Sequence, residues 1–171
     1  MNFNSDSSIK ISEASIRDLS IITSIAFPAW EATYLKIVSR EQFDFMYNEM
    51  YSEVSLRKQF SSGHRFFILY EINIPAAFVS FAADGKVVKV PKLYVHPSHH
   101  KRGFGKKLLE KVEELCKENF EAIELNVNRF NPAQFFYEKL GFEKICEIDV
   151  PIGQYFMNDF IMRKKLKNSL K

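Results

Sequence analysis

The sequence predicts a mixed α/β domain, one open sheet flanked by helices rather than a doubly wound parallel sheet. Three observations carry that prediction. The elements run strand, helices, three strands, helix, strand, helix and two strands. Three strand-like runs, Phe66 to Tyr70, Ala76 to Ala82 and Val87 to Val95, follow closely with turn residues between them, as antiparallel neighbours do. The segment from Val87 through an amphipathic helix to Val127 is a strand-helix-strand crossover, so its two strands run parallel with a right-handed connection.

Taken in order, Ile9 to Ser15 reads as the first strand. Ile16 to Ala26 reads as a helix with Leu19, Ile22, Ile25 and Ala26 on one face. FPAWEATY then interrupts the pattern, and Pro28 with its crowd of aromatics predicts a surface segment. Helical stretches from Ser39 to about Phe60 repeat Phe43, Met46, Tyr47 and Met50 at helical spacing, and Gly63 closes them. The next three strands are divided by Ile-Asn-Ile-Pro and by Asp84-Gly85. From Gly103 to Phe120, the apolar residues Phe104, Leu108, Leu109, Val112, Leu115, Cys116 and Phe120 fall at 3.6-residue spacing, with charged residues on the opposite side. Ile123, Leu125 and Val127 alternate with Glu124, Asn126 and Asn128 as a strand. Asn131-Pro132 predicts an N-cap with proline at the first helical position, and the short helix that follows ends at Gly141. Glu143 to Val150 and Phe156 to Arg163 form a last strand pair.

At 171 residues, 46% of them hydrophobic, the chain is long enough to bury a core as one domain spanning 1–171, with 1–8 and 165–171 expected as flexible tails. The net charge of +3 is local: the last eleven residues hold Arg163, Lys164, Lys165, Lys167 and Lys171, without which 19 basic residues face 21 acidic ones. That reads as a solvated tail and argues against a nucleic-acid partner. The polar start lacks the apolar stretch of a secretory signal, and the longest near-apolar run, Pro75 to Ala83, is too short for a bilayer, so a soluble cytoplasmic protein with no membrane partner is expected. Cys116 and Cys146 have no paired spacing, which suits reduced, buried thiols.

The chemistry concentrates in KLYVHPSHHKRGFGKKLL, where a strand ends at Val95 and Gly103-Phe104-Gly105 opens the amphipathic helix. Small residues at a helix start leave backbone N–H groups exposed, and these, with the helix dipole, suit a diphosphate. Lys101, Arg102, Lys106 and Lys107 add positive charge. On the loop alone, phosphate binding and a glycine-rich helix start with solvated lysines stand level. A Walker loop fails for want of Gly-Lys-Ser/Thr. The dinucleotide fingerprint fails because Leu108 stands where its third glycine belongs, and seven residues separate Val95 from Gly103. His96, His99 and His100 cluster without the Cys or Asp spacing of a zinc site, so no metal is expected.

His100-Lys101-Arg102-Gly103-Phe104-Gly105 resembles the Gln/Arg-x-x-Gly-x-Gly/Ala acetyl-CoA motif of the GNAT superfamily of N-acetyltransferases, with His100 in place of Gln or Arg. NRFNPAQFFYEKLGF, residues 128–142, resembles that superfamily's later motif, in the right order and at the right distance. The two cover about the second half of the chain. The resemblance implies a GNAT fold with a six- to seven-stranded sheet splayed between its fourth and fifth strands, and acetyl-CoA as cosubstrate. The pantetheine arm would pair with the backbone of Leu93, Tyr94 and Val95, while the loop from His100 to Lys106 holds the diphosphate and Asn131 contacts the pantetheine. It implies Tyr137 as the catalytic acid for the leaving thiolate. By spacing alone Tyr137 is a core aromatic, sharing a stripe with Ala133, Phe136 and Leu140. Trp30, Glu31 and Tyr34 would border the acceptor, although packing is the better explanation of each taken singly.

The expected reaction is direct attack of an amine, from a small molecule or peptide, on the thioester. Lys86 to Val95 contains no acidic residue, so no strand glutamate is available as base, and water, His96 or Glu31 remain in play. That absence also keeps a non-catalytic acyl-CoA-binding module as the rival reading. The resemblance leaves a homodimer open.

Overall fold

The computed structural model describes residues 9–166; of the expected tails 1–8 and 165–171, residues 1–8 and 167–171 lie outside them. Seven strands form one mixed sheet: β1 (Ile9–Glu13), β2 (Arg65–Glu71), β3 (Ile74–Asp84), β4 (Val87–Val95), β5 (Ala122–Asn128), β6 (Glu143–Ile152) and β7 (Tyr155–Lys165). Their order across the sheet is β1-β2-β3-β4-β5-β7-β6, and among the described residues only the β4–β5 pair is parallel.

Period-two alternation sends the two faces to two cores. Phe67, Leu69, Ala77 and Val79 pack with Leu108, Leu109 and Val112 of α4 (Phe104–Cys116). Phe66, Ile68 and Phe78 pack instead with α1 (Leu19–Tyr34), α2 (Arg40–Tyr51) and α3 (Glu53–Ser61) through Ile22, Trp30, Phe43 and Leu56. Ser39 and Ser52 cap the starts of α2 and α3 by accepting from the N–H groups of Gln42 and Ser55. No helix among the described residues is long and apolar enough to cross a membrane.

The structure departs from three expectations. Pro28 does not end the first helix, because α1 runs on to Tyr34. An interior proline costs ~3 kcal/mol or more, but here Ile22, Ala26, Ala29, Trp30 and Tyr34 continue one buried stripe across it. Arg163, Lys164 and Lys165 are not tail residues: they belong to β7, where Lys165 is the register partner of Ala122, Arg163 pairs with Glu124 and Lys164 with Glu113. Along β5 the alternation of apolar and polar residues holds in sequence, yet both faces are covered and Glu124 is only 4% exposed. Cys146 is exposed, as is most of the edge strand β6, whereas Cys116 is buried as expected.

The sheet opens in its middle. β4 and β5 pair only from Val87↔Ala122 to Lys89↔Glu124. Just beyond, the β3–β4 register steps from Ala82↔Lys89 to Ser80↔Lys92, which places one extra residue on β4 at Val90-Pro91. A bulge bends its strand, and Pro91 has no N–H to extend the ladder. Leu93 to Val95 therefore remain paired with β3 alone.

The β6–β7 hairpin turns at Gly153, where φ is +58° and an added Cβ would overlap the ring of Phe45 on α2. Gly153→Ala is expected to lower stability by about 1–2 kcal/mol from the left-handed backbone alone, measured as a shift in the urea midpoint.

Candidate active site

The splay leaves a cleft of about 730 Å³ between the ends of β4 and β5. Its lining includes Leu93, Tyr94 and Val95, the loop His100 to Gly105, Asn131, and Phe136 and Tyr137 of α5 (Ala133–Lys139). Tyr34 and Thr33 come to it from α1. The residues predicted from the two motifs are thus brought together, with Lys106 as the exception: its side chain points outward and pairs with Glu110 at 3.7 Å.

At the loop end, Gly103 is the N-cap of α4 with φ 76°, in the left-handed region, and no side chain caps the helix. The first intrahelical bond closes from Lys107 N–H to Gly103 O, so the N–H groups of Phe104, Gly105 and Lys106 have no such acceptor. No acidic residue sits in that first turn to oppose an anion. His100 turns inward instead of reaching for a ligand, its Nε2–H donating to Val95 O at 3.0 Å. Arg102 pairs with Glu71 and lies over the Phe104 ring. The Ser98 hydroxyl lies between the Nδ1 atoms of His96 (2.7 Å) and His99 (2.9 Å), which ties these histidines to the loop.

At the other wall, Asn131 Oδ1 accepts from Ala133 N–H at 2.9 Å, holding the start of α5. Tyr137 is 8% exposed, edge-on to Phe136 and Phe142 at centroid distances of 5.1 and 5.7 Å. Burial, reinforced by Tyr94, pushes its phenol far above the ordinary range. The hydroxyl therefore rests protonated, as a hydrogen-bond donor, at working pH.

The structure separates Trp30, Glu31 and Tyr34. Residues four apart share a helix face and a neighbour one position on is turned about 100° away. Trp30 is fully buried, packed against Tyr34 at 4.3 Å and ringed by Phe43, Tyr47 and Tyr51. Glu31 faces outward to Arg40 at 3.2 Å. Tyr34 alone reaches the cleft.

A smaller cavity of about 310 Å³ adjoins the cleft and shares Tyr34, Val90, Pro91, Tyr94 and Asn126 with it. It holds a carboxylate that sequence reasoning missed, Asp159 of β7, only 4% exposed. Burial raises its pKa to about 6, against the opposing pull of Asn126 and Arg129. The signal was an acidic residue amid Met157, Phe160, Ile161 and Met162, in a run already read as a strand.

Residues 34–158 match a protein family described as an acetyltransferase (GNAT) domain. Among solved structures, the PaiA N-acetyltransferase of Thermoplasma acidophilum, in complex with coenzyme A, is 28% identical over 92% of this chain and 99% of that one, with a TM-score of 0.79. The ribosomal-protein-S18-alanine N-acetyltransferase of Escherichia coli shares the fold at 19% identity, covering 93% and 94% of the two chains with a TM-score of 0.72. So does yncA of Salmonella typhimurium, solved with its cofactor acetyl-CoA, at 20% identity, 96% and 97% coverage and a TM-score of 0.63.

Proposed function

The chain belongs to the GNAT acetyltransferase family, and from that premise we propose that it moves an acetyl group from acetyl-CoA to a primary amine of a small molecule or peptide. The observation that supports this most is the cleft, which puts an uncapped helix N-terminus and a buried, protonated tyrosine on the walls of one gap in the sheet. The similarity to a PaiA enzyme solved with coenzyme A supports the same donor. On this reading the protein acts as a single domain in the cytoplasm.

The residues fit that donor. The amides of Phe104 to Lys106 meet the diphosphate, with Lys101 adding charge at the loop. Because His100 is committed to Val95 O and Arg102 to Glu71, backbone donors carry this contact. The edge of β4 at Leu93 to Val95, which β5 has left, accepts the pantetheine as a sheet accepts an added strand. Asn131 spends its oxygen on Ala133 and keeps its amino group for the same arm. Tyr137 donates to the sulfur as charge develops there. No covalent enzyme intermediate is required, since holding the amine against the carbonyl supplies the proximity.

The test is release of free thiol from acetyl-CoA across a panel of primary amines, with the acetylated product identified by mass. Amine-dependent release is expected. Saturable CoA binding without release for any amine would make the chain a non-catalytic acyl-CoA-binding module.

A further inference from the structure

Resting on the acetyl-transfer reading, we propose that Asp159 takes the proton from the acceptor nitrogen and that the cavity around it seats a primary alkylammonium, which enters as a cation.

Asp159 is 4% exposed, and its Oδ1 has no hydrogen-bond partner. A buried acidic oxygen without a partner is costly, and proteins seldom keep one without a use. The charges around it are already committed. Glu124, the other carboxylate of the cavity, is held by Lys89 and Arg163. Arg129, beside β5, gives its terminal guanidinium nitrogens to Glu147 at 3.1 Å and to Asp149 of β6, while its buried Nε has no hydrogen-bond partner. The remaining titratable groups on the cavity walls are Tyr34 of α1 and Tyr94 of β4, both pushed up by burial and so neutral. Among the described carboxylates of this cavity, Asp159 is the one with no direct ion pair, Arg129 acting on it only through space. Its other walls, Met50, Val150 and Met157, suit an alkyl chain, and the two tyrosines suit an ammonium.

The shared walls place this seat beside the cleft proposed for the thioester. In the balanced step, the ammonium gives one proton to the Asp159 carboxylate, and the freed lone pair forms the C–N bond at the thioester carbonyl. The C–S bond then breaks with its electron pair on sulfur. The nitrogen's second proton reaches that sulfur through the Tyr137 hydroxyl, and Asp159 returns its own to solvent. An alkylammonium near ~10 is a weaker acid than this carboxyl, but burial also disfavours the ammonium, and transfer need be only partial as the new bond forms.

The experiment is the pH dependence of kcat/KM for the full chain and for Asp159→Asn, using the amine from the panel that turns over best. Wild type is expected to rise to a plateau through an apparent pKa near 6, where the carboxyl ionises. Asp159→Asn is expected to lose roughly 10²- to 10⁴-fold at pH 7 and to climb steadily towards the amine's own pKa, while binding CoA as wild type does. Thermal melting separates this from a structural role. A carboxyl raised in the fold above its unfolded value binds more protons when folded, so wild type loses stability as pH rises through that window. The variant lacks this loss and should melt higher than wild type above pH 6, with the difference vanishing near pH 4. An unchanged profile in the variant, with wild type active, would overturn the role of Asp159 and leave acetyl transfer standing. A variant that melts lower and loses activity equally at every pH would make Asp159 a structural residue. No thiol release by wild type would remove both readings.

Discussion

Tyr137→Phe is expected to lower turnover by about 10²- to 10³-fold, the scale on which one donor to developing charge is worth, while leaving acetyl-CoA affinity and thermal stability near those of wild type. The substitution keeps the ring and its contacts with Phe136 and Phe142, so only the hydroxyl is tested. Its size follows from the phenol's environment. A thiol near pKa ~8.5 is already a fair leaving group, and a phenol held well above its normal range by burial does not surrender its proton outright to such a thiolate. What it contributes is a fixed hydrogen bond to the departing sulfur and a path for the amine's proton. Single-turnover kinetics with direct measurement of CoA binding check this. Unchanged turnover removes the tyrosine from the chemistry, and lost CoA affinity makes it a binding residue instead.

The second large effect is on stability. Trp30→Ala is expected to cost about 3–5 kcal/mol, as truncation of fully buried aromatics does, a large share of a domain's ~5–15 kcal/mol. Trp30 is entirely shielded from solvent and touches rings from α1, α2 and β4. Were it an acceptor contact instead, as one sequence reading allowed, the loss would fall on amine selectivity. Denaturant unfolding of Trp30→Ala, with the amine preferences of the milder Trp30→Phe, decides between these. A packing role gives a lower midpoint in the first and an unaltered order of preferred amines in the second.

Much of this architecture was legible because it is local. The 3.6-residue repeat from Phe104 to Cys116, the alternation in β2 and β3, and the turn at Gly85 each depend on neighbours in sequence. The Gly103 loop was equally legible, since a glycine-opened helix after a strand is itself a short-range pattern. What stayed hidden depends on distant partners. The burial of Glu124 depends on Lys89 from β4 and Arg163 from β7, which pair with it from distant parts of the chain. Pro28 looked like a stop because proline's local cost is plain, while the stripe from Ile22 to Tyr34 that outweighs it is recognised only once β2 and β3 lie against it. Asp159 was invisible as a site for the same reason: its meaning comes from Tyr34 and Tyr94, more than sixty residues earlier in the chain.

Acetyl transfer by this chain requires a diphosphate held by the amides ahead of α4, with the rest of the carrier lying in the gap where β4 leaves β5. Calorimetric titration of the full chain with acetyl-CoA tests this most directly. Saturable binding to one site per chain, displaced by free CoA, is the predicted result. Absence of heat with either ligand at millimolar concentration would contradict it.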